Sequence, residues 1–396
     1  TKNKGMAGSG LAMPEDAMSI ANNPAAALAN AGKYDLGLAI FSPSRSYETS
    51  ESMVNGNFGA FTIGPNNIDS ENEAFFIPHM AGNWKIDDQS AWGVAFYGRG
   101  GMNTRWDGGS ATFDPDGPGP YPVMTAPSTY GGSLFSNGDE GTAGVDLSQA
   151  VLELGYARAA GEQFTWGVSL IGVMQVFSMR GVGSFAGYTE TFAASGGTVM
   201  PPNLSNNGHD KSFGYGAKVG FQWDLNEKFA LAASYQSKMR MGKFDKYSDR
   251  FAQNGGFDSP AALKLGITFR PNPGLALNFD VENIAYGDID SIANPVRNVY
   301  NCPTAGLGGT DLSNCFGGSN GAGFGWEDMT IFKIGAQWSC GIDFTWRSGY
   351  SHGEQPIPVN EVMFNILAPA TIEDHLTLGM TRALPSGNEW SLSFMY

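Results

Sequence analysis

The chain has 396 residues and a formal net charge of -15; 42% of its residues are hydrophobic, 12% aromatic and 15% charged. The acidic balance argues against nucleic-acid binding, which needs a basic surface. No segment approaches the roughly 18 to 20 consecutive apolar residues of a membrane-spanning helix, and no low-complexity linker divides the chain.

Residues 1–32 show no regular alternation of apolar and polar residues. Pro14 is followed by Glu15 and Asp16, and proline with acids at a helix start favours a short helix. Asn22, Asn23 and Pro24 then interrupt it. The sequence predicts a compact N-terminal segment of short helices.

From residue 33 onward, apolar and polar residues alternate. In residues 211–225 the odd positions are apolar after Lys211, and the even positions carry Ser, Gly, Lys, Gln and Asp. This run needs an extended backbone and exceeds the usual strand of about five or six residues. The pattern recurs in 229–239, 261–270 and 275–282. Because so few residues are charged, it favours strands with one face in lipid over a soluble sandwich.

We therefore predict an all-β fold, a transmembrane antiparallel β-barrel in residues 33–396, with residues 1–32 as a plug in its lumen. The thirteen predicted strands are 33–47, 73–86, 89–104, 145–160, 161–178, 211–225, 226–241, 259–271, 273–287, 327–340, 341–352, 371–384 and 385–396.

Short turns alternate with long connections, as periplasmic turns alternate with extracellular loops in outer-membrane barrels. The predicted extracellular loops are 105–144, 179–210, 242–258, 288–326 and 353–370. Because single-chain bacterial barrels have an even number of strands, we expect 14 strands, with the last one beyond Tyr396 and missing from this chain. The alternative is that one strand is missed or merged in the count.

Cys302 and Cys315 lie in a loop rich in Gly and Asn, which predicts a disulfide in an oxidising compartment. Cys340 is expected to be unpaired in the sheet. No metal-ligand motif is present, and we expect no metal and no cofactor. The acidic surface is suited to meet lipopolysaccharide and outer-membrane lipid through bridging divalent cations.

Three groups of residues resemble the FadL family of outer-membrane long-chain fatty-acid and hydrocarbon transporters. The first group is N-terminal: residues 4–10 (Lys-Gly-Met-Ala-Gly-Ser-Gly), Asp16 with Ala17, and Asn23, Pro24 and Ala25. The second is 325–335 (Gly-Trp-Glu-Asp-Met-Thr-Ile-Phe-Lys-Ile-Gly). The third group comprises residues 347–351, 355–358 and 375–379. These groups follow the family's order and bracket almost the whole chain.

The resemblance implies a fourteen-stranded barrel in the bacterial outer membrane, with the N-terminus as a hatch that includes Asp16, Asn23, Pro24 and Ala25. It also implies a monomer that takes up fatty acids or other hydrophobic compounds without an energy source. In this family the substrate passes from an extracellular apolar groove to a pocket in the barrel. It then leaves sideways into the membrane at a kinked strand.

Gly98, Gly100 and Gly101 lie close together in the third strand, and dense glycine marks a bulge. We expect the lateral opening there; ordinary barrel curvature is the alternative. Apolar residues in loops often form binding surfaces. The alternative is that the loops pack on each other. The residues that we assign to the first docking groove are Phe113, Tyr121, Val123, Met124, Tyr130, Leu134, Phe135, Phe185, Tyr188, Phe192, Val199 and Met200.

A carboxylate head group would need an inward-facing cation. Lys333 lies between Phe332 and Ile334 and so points inward, and Lys218, Lys264 and Arg99 are further candidates. The resemblance adds Arg180 as a ligand contact. The alternative is that each cation pairs with a luminal acid such as Glu373, Asp280 or Asp224.

Other function classes have less support. No nucleophile motif, phosphate-binding loop or zinc motif is present, and Asp374 and His375 are adjacent on a strand and face opposite ways. We therefore expect no enzyme activity. A general small-molecule porin is the main alternative, but it would have opposed charges at a constriction and no plug. A structural or adhesive barrel has no specific feature in its favour.

Overall fold

Thirteen antiparallel strands follow one another in chain order around one sheet in the computed structural model, which confirms the predicted fold. The structure describes residues 2–50, 62–63, 66–108, 110–113, 128–131, 142–341 and 343–396. The strands are β1 Tyr34–Phe41, β2 Phe75–Asp87, β3 Ser90–Asn103, β4 Thr142–Ala159, β5 Phe164–Arg180, β6 Asp210–Asp224, β7 Phe229–Gln236, β8 Ala262–Asn272, β9 Leu275–Ile284, β10 Met329–Cys340, β11 Phe344–His352, β12 Asp374–Ala383 and β13 Glu389–Met395.

Two short strands extend this sheet: Trp106–Asp107 pairs with β4, and Arg240–Met241 pairs with β6. The edge strands are β1 and β13, and no ladder joins them among the described residues. The fourteenth strand beyond Tyr396 stays a prediction. The short strands of the two smaller sheets are Ser46–Thr49 with Asn66–Asp69, and Thr62–Ile63 with Ser110–Phe113 and Ser128–Gly131.

The two faces of the sheet have the polarity of a membrane barrel. On β6, Phe213 and Tyr215 are 64% and 69% exposed, whereas Ser212 and Lys218 are only 2% and 3% exposed. Apolar side chains therefore point outward and polar side chains inward, which is the reverse of a soluble protein.

Aromatic side chains gather on the outer face near the short turns. Trp84 and Trp92 stack with their ring centroids 4.3 Å apart, and Phe229 and Phe269 stack at 4.8 Å. Aromatic girdles lie at the membrane interface in outer-membrane barrels. The long loops lie at the opposite end of the barrel.

The N-terminal segment (residues 2–32) lies against the inner wall. It contains two 3-10 helices, Lys2–Met6 and Ala17–Ala21, and the α-helix Ala26–Ala29. The amide of Ala7 donates to Thr377 Oγ1 at 2.8 Å, and the amide of Leu11 donates to Asp280 Oδ2 at 2.9 Å. These contacts on β12 and β9 anchor the segment to the wall.

Glycines in the wall leave room for this backbone. A Cβ atom added to Gly349 would lie 2.2 Å from the carbonyl carbon of Met6, and one added to Gly167 would lie 2.5 Å from the amide nitrogen of Ala25. Such distances are far below van der Waals contact. Larger residues at either position would therefore displace the segment.

The long loops pack on each other over the lumen. Phe185, Phe244, Phe251, Phe316 and Phe364 are buried in one loop core, and Cys302 is joined to Cys315 by a disulfide. No described helix is long and apolar enough to cross a membrane. The loop helices are Gly183–Tyr188, Glu190–Ala194, Asp245–Tyr247, Ala252–Gly255, Tyr286–Asp288, Asp290–Ala293, Val296–Asn301, Pro303–Ala305, Leu312–Asn314, Val359–Glu361 and Val362–Asn365.

Arg250 lies at the centre of the loop core and is 1% exposed. Its guanidinium carbon lies 4.9 to 5.6 Å from four ring centroids, and its Nη1 donates to the carbonyl of Ala322 at 2.8 Å. Burial lowers the pKa of Arg250 to about 9, so the side chain is charged at neutral pH. The four rings are Phe251, Phe316, Phe324 and Phe364.

Candidate functional site

A cavity of about 350 Å³ lies between the N-terminal segment and the barrel wall. Five cations line it, but Glu282 is its only carboxylate among the described residues. The remaining lining is a mixture of polar and apolar side chains. The lining residues are Asn3, Lys4, Gly8, Met18, Ala21, Asn22, Ile77, His79, Tyr97, Gly98, Arg99, Lys218, Ser234, Gln236, Ala262, Lys264, Glu282 and Lys333.

Lys218 connects the wall to the N-terminal segment. Its ammonium nitrogen lies 2.9 Å from Glu153 Oε2 and donates to the carbonyl of Ala21 at 2.6 Å. The hydroxyl of Tyr97 donates to the same carboxylate at 2.9 Å. Glu153 is fully buried, and two donors therefore satisfy its charge inside the barrel.

Lys264 and Lys333 share one acid. Lys264 Nζ lies 3.2 Å from Glu282 Oε1, and Lys333 Nζ forms an ion pair with Oε2 of the same carboxylate. Lys264 also donates to Asn22 Oδ1 at 3.0 Å. A second carboxylate, that of Asp280, lies in the same cluster as Lys264, Lys333 and Glu282.

Arg99 and Lys4 have no carboxylate partner in the part of the chain that the structure describes. With the Gln236 amide oriented so that its oxygen faces Arg99, that oxygen accepts from Nη2 at 2.9 Å and from Nη1 at 3.0 Å. Lys4 lines the cavity and forms no hydrogen bond or ion pair with any residue that the structure describes. The cavity therefore offers positive charge to an anionic group.

A bulge interrupts the pairing of β3 and β4 beside this cavity. Gly98 pairs with Ala150 and Gly101 pairs with Ser148, so Arg99 and Gly100 face Gln149 alone. Gly100 has φ +61°, a left-handed conformation that favours glycine. Gly98 and Arg99 line the cavity, which consequently reaches the irregular part of the wall.

The residues predicted for the hatch lie in the N-terminal segment. Asp16 accepts from the backbone nitrogen of Lys2 at 2.7 Å, and Asn23 donates to the carbonyl of Phe221 on β6 at 3.0 Å. Pro24 and Ala25 approach Gly167 on β5. Asn23, Pro24 and Ala25 therefore contact the wall, whereas the hydrogen bond of Asp16 lies within the N-terminal segment.

The residues predicted for the docking groove are only partly described. Phe113 and Tyr130 lie in the short strands Ser110–Phe113 and Ser128–Gly131. Phe185 is 7% exposed and packs against Phe316 and Phe364, which agrees with the alternative that the loops pack on each other. Tyr188 packs against the loop core. Phe192 is partly buried, and Val199 and Met200 are exposed. Tyr121, Val123, Met124, Leu134 and Phe135 lie outside the described residues.

The predicted cations divide into two groups. Lys218, Lys264, Lys333 and Arg99 line the cavity, whereas Arg180 lies outside it, at the loop end of β5. The sequence prediction missed Lys4, because its segment has no alternation, and missed Glu153 and Glu282. The position of Glu153 between Leu152 and Leu154, both exposed to the lipid side, is a signal that could have identified it.

Comparison with known proteins gives a family match over half of the chain. Residues 183–385 match the family described as outer membrane protein transport protein (OMPP1/FadL/TodX). Among curated proteins, no sequence matches the chain.

Several solved structures share the fold. The toluene transporter TodX of P. putida is 17% identical with a TM-score of 0.66, covering 99% of this chain and 90% of that one. The toluene transporter TbuX of Ralstonia pickettii is 16% identical with a TM-score of 0.62, covering 100% and 92%. A FadL homologue of Pseudomonas aeruginosa is 14% identical with a TM-score of 0.55, covering 99% and 88%.

Proposed function

Because the chain belongs to the outer membrane protein transport family (OMPP1/FadL/TodX), we propose that it is a passive diffusion channel for long-chain fatty acids or other hydrophobic compounds. The family places it in the bacterial outer membrane and confirms the resemblance seen in the sequence. Membership supports transport of hydrocarbons or aromatic compounds in general, and the choice of a fatty acid is our own inference.

The basic cavity carries this inference. Arg99 and Lys4 supply positive charge there, with no carboxylate partner among the described residues. An anionic head group would meet charge-assisted donors there. A hydrocarbon would gain nothing from them, so the cavity favours an amphiphile with a carboxylate.

The proposed route has three stages. We assign the loop residues Phe113, Tyr130, Leu134, Phe135 and Tyr188 to the first docking surface, and the cavity receives the substrate next. The N-terminal segment acts as the hatch that closes the periplasmic side. Each buried CH₂ contributes about 0.8 kcal/mol, so apolar surfaces can carry an acyl chain past the polar outer leaflet without an energy source.

The bulge in β3 is the proposed exit into the membrane. Cavity-lining Gly98 and Arg99 lie beside Gly100, where the ladder to β4 is interrupted. A substrate bound at Arg99 is therefore next to the weakest pairing in this part of the wall. The interruption supports a sideways exit at Gly98, Gly100 and Gly101.

The test is uptake of labelled oleate by cells, with labelled toluene measured in parallel. Gly100→Val should abolish most uptake of both compounds, because valine is strained at this φ and fills the gap. Gly172→Val is the matched control, since Gly172 has only one atom within 4 Å of an added Cβ, the carbonyl oxygen of Leu152 at 3.8 Å. Arg99→Gln with Lys4→Gln should lower oleate uptake about tenfold, as charged hydrogen bonds contribute about 1.5 to 3 kcal/mol, and leave toluene uptake unchanged.

Other outcomes contradict the proposal in separate ways. Equal loss of oleate and toluene uptake in the Arg99 and Lys4 variant would refute the head-group assignment. Leakage of sugars through the intact protein, without oleate or toluene uptake, would identify a general small-molecule porin.

A further inference from the structure

Four basic residues lie on the outer wall at the loop end of the barrel: Arg180, Lys211, Arg240 and Lys243, here called the rim patch. All four are exposed. Arg180 belongs to β5, Lys211 to β6 and Arg240 to the short strand beside β6, and Lys243 lies two residues after that strand. The patch is a local excess of positive charge in a chain whose net charge is -15.

The rim patch lies at the upper border of the lipid-facing surface. Lys211 lies on the same face of β6 as the exposed rings of Phe213 and Tyr215. Arg240 pairs directly with Tyr215, and Lys211 pairs with Val176, four residues below Arg180. Tyr215 pairs in turn with Gly172, eight residues from Arg180, so the patch spans about 26 Å along the wall at 3.3 Å per residue. Long basic side chains at this border extend to lipid head groups.

The four cations are free of internal partners. None forms a side-chain hydrogen bond or an ion pair with any described residue. The neighbouring acids are already engaged: Asp146 contacts His209 Nε2 at 2.9 Å, and Asp210 accepts from the amides of Lys211 and Lys246. The positive charge therefore faces the outside of the barrel.

A polar cavity of about 160 Å³ adjoins Arg180. Its lining includes Asn72, Asn103, Thr142 and Ser178. Asn103 on β3 and Ser178 on β5 both pair with Asp146 on β4. This register places both residues on the outer face. Amide and hydroxyl groups of this kind bind sugar hydroxyls and phosphate oxygens.

We propose that the rim patch and the adjoining polar cavity bind a phosphorylated glycolipid of the outer leaflet, namely lipopolysaccharide. The cations contact its phosphates, the cavity accepts its sugar groups, and its acyl chains lie on the apolar wall below. The net charge predicts that acidic residues contact this lipid through bridging divalent cations. On this part of the wall, the basic side chains contact its phosphates directly instead. The proposal does not depend on which substrate is transported.

The test uses the full chain in detergent and fluorescent bisphosphorylated lipid A. Neutralising the rim patch by Arg180→Gln, Lys211→Gln, Arg240→Gln and Lys243→Gln should lower affinity at least about tenfold, since each basic residue near an anionic surface contributes measurably. The matched control neutralises four exposed cations near the short turns, by Lys85→Gln, Arg158→Gln, Lys228→Gln and Arg382→Gln. The control should change affinity less than about twofold.

Dephosphorylated lipid A and inorganic phosphate are the comparison ligands, and both should bind far more weakly than the bisphosphorylated lipid. Equal binding of the dephosphorylated lipid, or equal losses in the two quadruple variants, would overturn the proposal. Binding of inorganic phosphate as tight as that of the lipid would identify a free-phosphate site instead. Heat-modifiable gel mobility verifies that each variant is folded. If a quadruple variant does not fold, its four single variants are measured instead.

Discussion

The ammonium nitrogen of Lys218 lies 2.9 Å from Glu153 Oε2, and both side chains are almost completely buried. Lys218 also donates to the carbonyl of Ala21, so this ion pair joins β4, β6 and the N-terminal segment. Lys218→Met should destabilise the protein by about 3 to 5 kcal/mol, because it leaves a buried carboxylate without its cation. Denaturant unfolding in detergent measures the change.

The double variant Lys218→Met with Glu153→Leu is the control for this prediction. It removes both charges, so most of the lost stability should return. A double variant as unstable as the single one would show that the hydrogen bond to Ala21, rather than the isolated charge, dominates.

Gly349→Val should displace the N-terminal segment from the lumen. The added side chain would overlap the Met6 backbone, and overpacking of this kind costs about 1 to 3 kcal/mol. Single-channel recordings in planar bilayers should then show larger ion conductance than the wild type. Gly172→Val, on the lipid-facing side of β5, should leave conductance unchanged; equal increases in both variants would refute the prediction.

Arg250→Ala should loosen the extracellular loops without unfolding the barrel. It removes contacts with four aromatic rings and leaves a cavity, for an expected loss of about 2 to 4 kcal/mol in the loops. Limited proteolysis should cut 242–258 and 302–326 faster while the strands resist. The exposed Arg297 lies in the same group of loops, and Arg297→Ala should not alter cleavage.

Loss of the loop disulfide should have a local effect. Cys302 and Cys315 are 13 residues apart in the chain, and a loop of about 15 residues gains about 3 kcal/mol from closure. Replacing both by Ser should speed hydrogen exchange in residues 296–316. Cys340→Ser should change nothing there, because Cys340 is a free cysteine on β10; unchanged exchange in the double variant would contradict the prediction.

Alternation predicted the barrel strands closely, because the odd or even position of a residue along a strand decides whether its side chain points inward or outward. The run predicted at 211–225 is the strand Asp210–Asp224. The first strand ends at Phe41 rather than 47, and the seventh spans Phe229–Gln236 rather than 226–241. Alternation continues beyond these ends, but the continuous ladder does not: after Gln236 the pairing with β6 is interrupted and resumes only at Arg240–Met241.

The cavity was less predictable than the strands. Parity identified Lys218, Lys264 and Lys333 as inward-facing, but their partners are Glu153 and Glu282 on other strands, and only the register brings them together. In the loops, no periodicity distinguishes a buried ring such as Phe185 from an exposed Met200. The ion pairs of the cavity and the burial of the loop side chains both depend on contacts between segments that are distant in the chain.

The contact between Ala7 and Thr377 joins residues 370 positions apart in the chain. The N-terminal segment therefore depends on β12, a strand distant in the sequence, for its native position. Contacts of such long range form slowly, and the strands that flank the N-terminal segment must assemble around it. The formation of this contact thus belongs among the last steps of folding, when the barrel wall closes around the N-terminal segment.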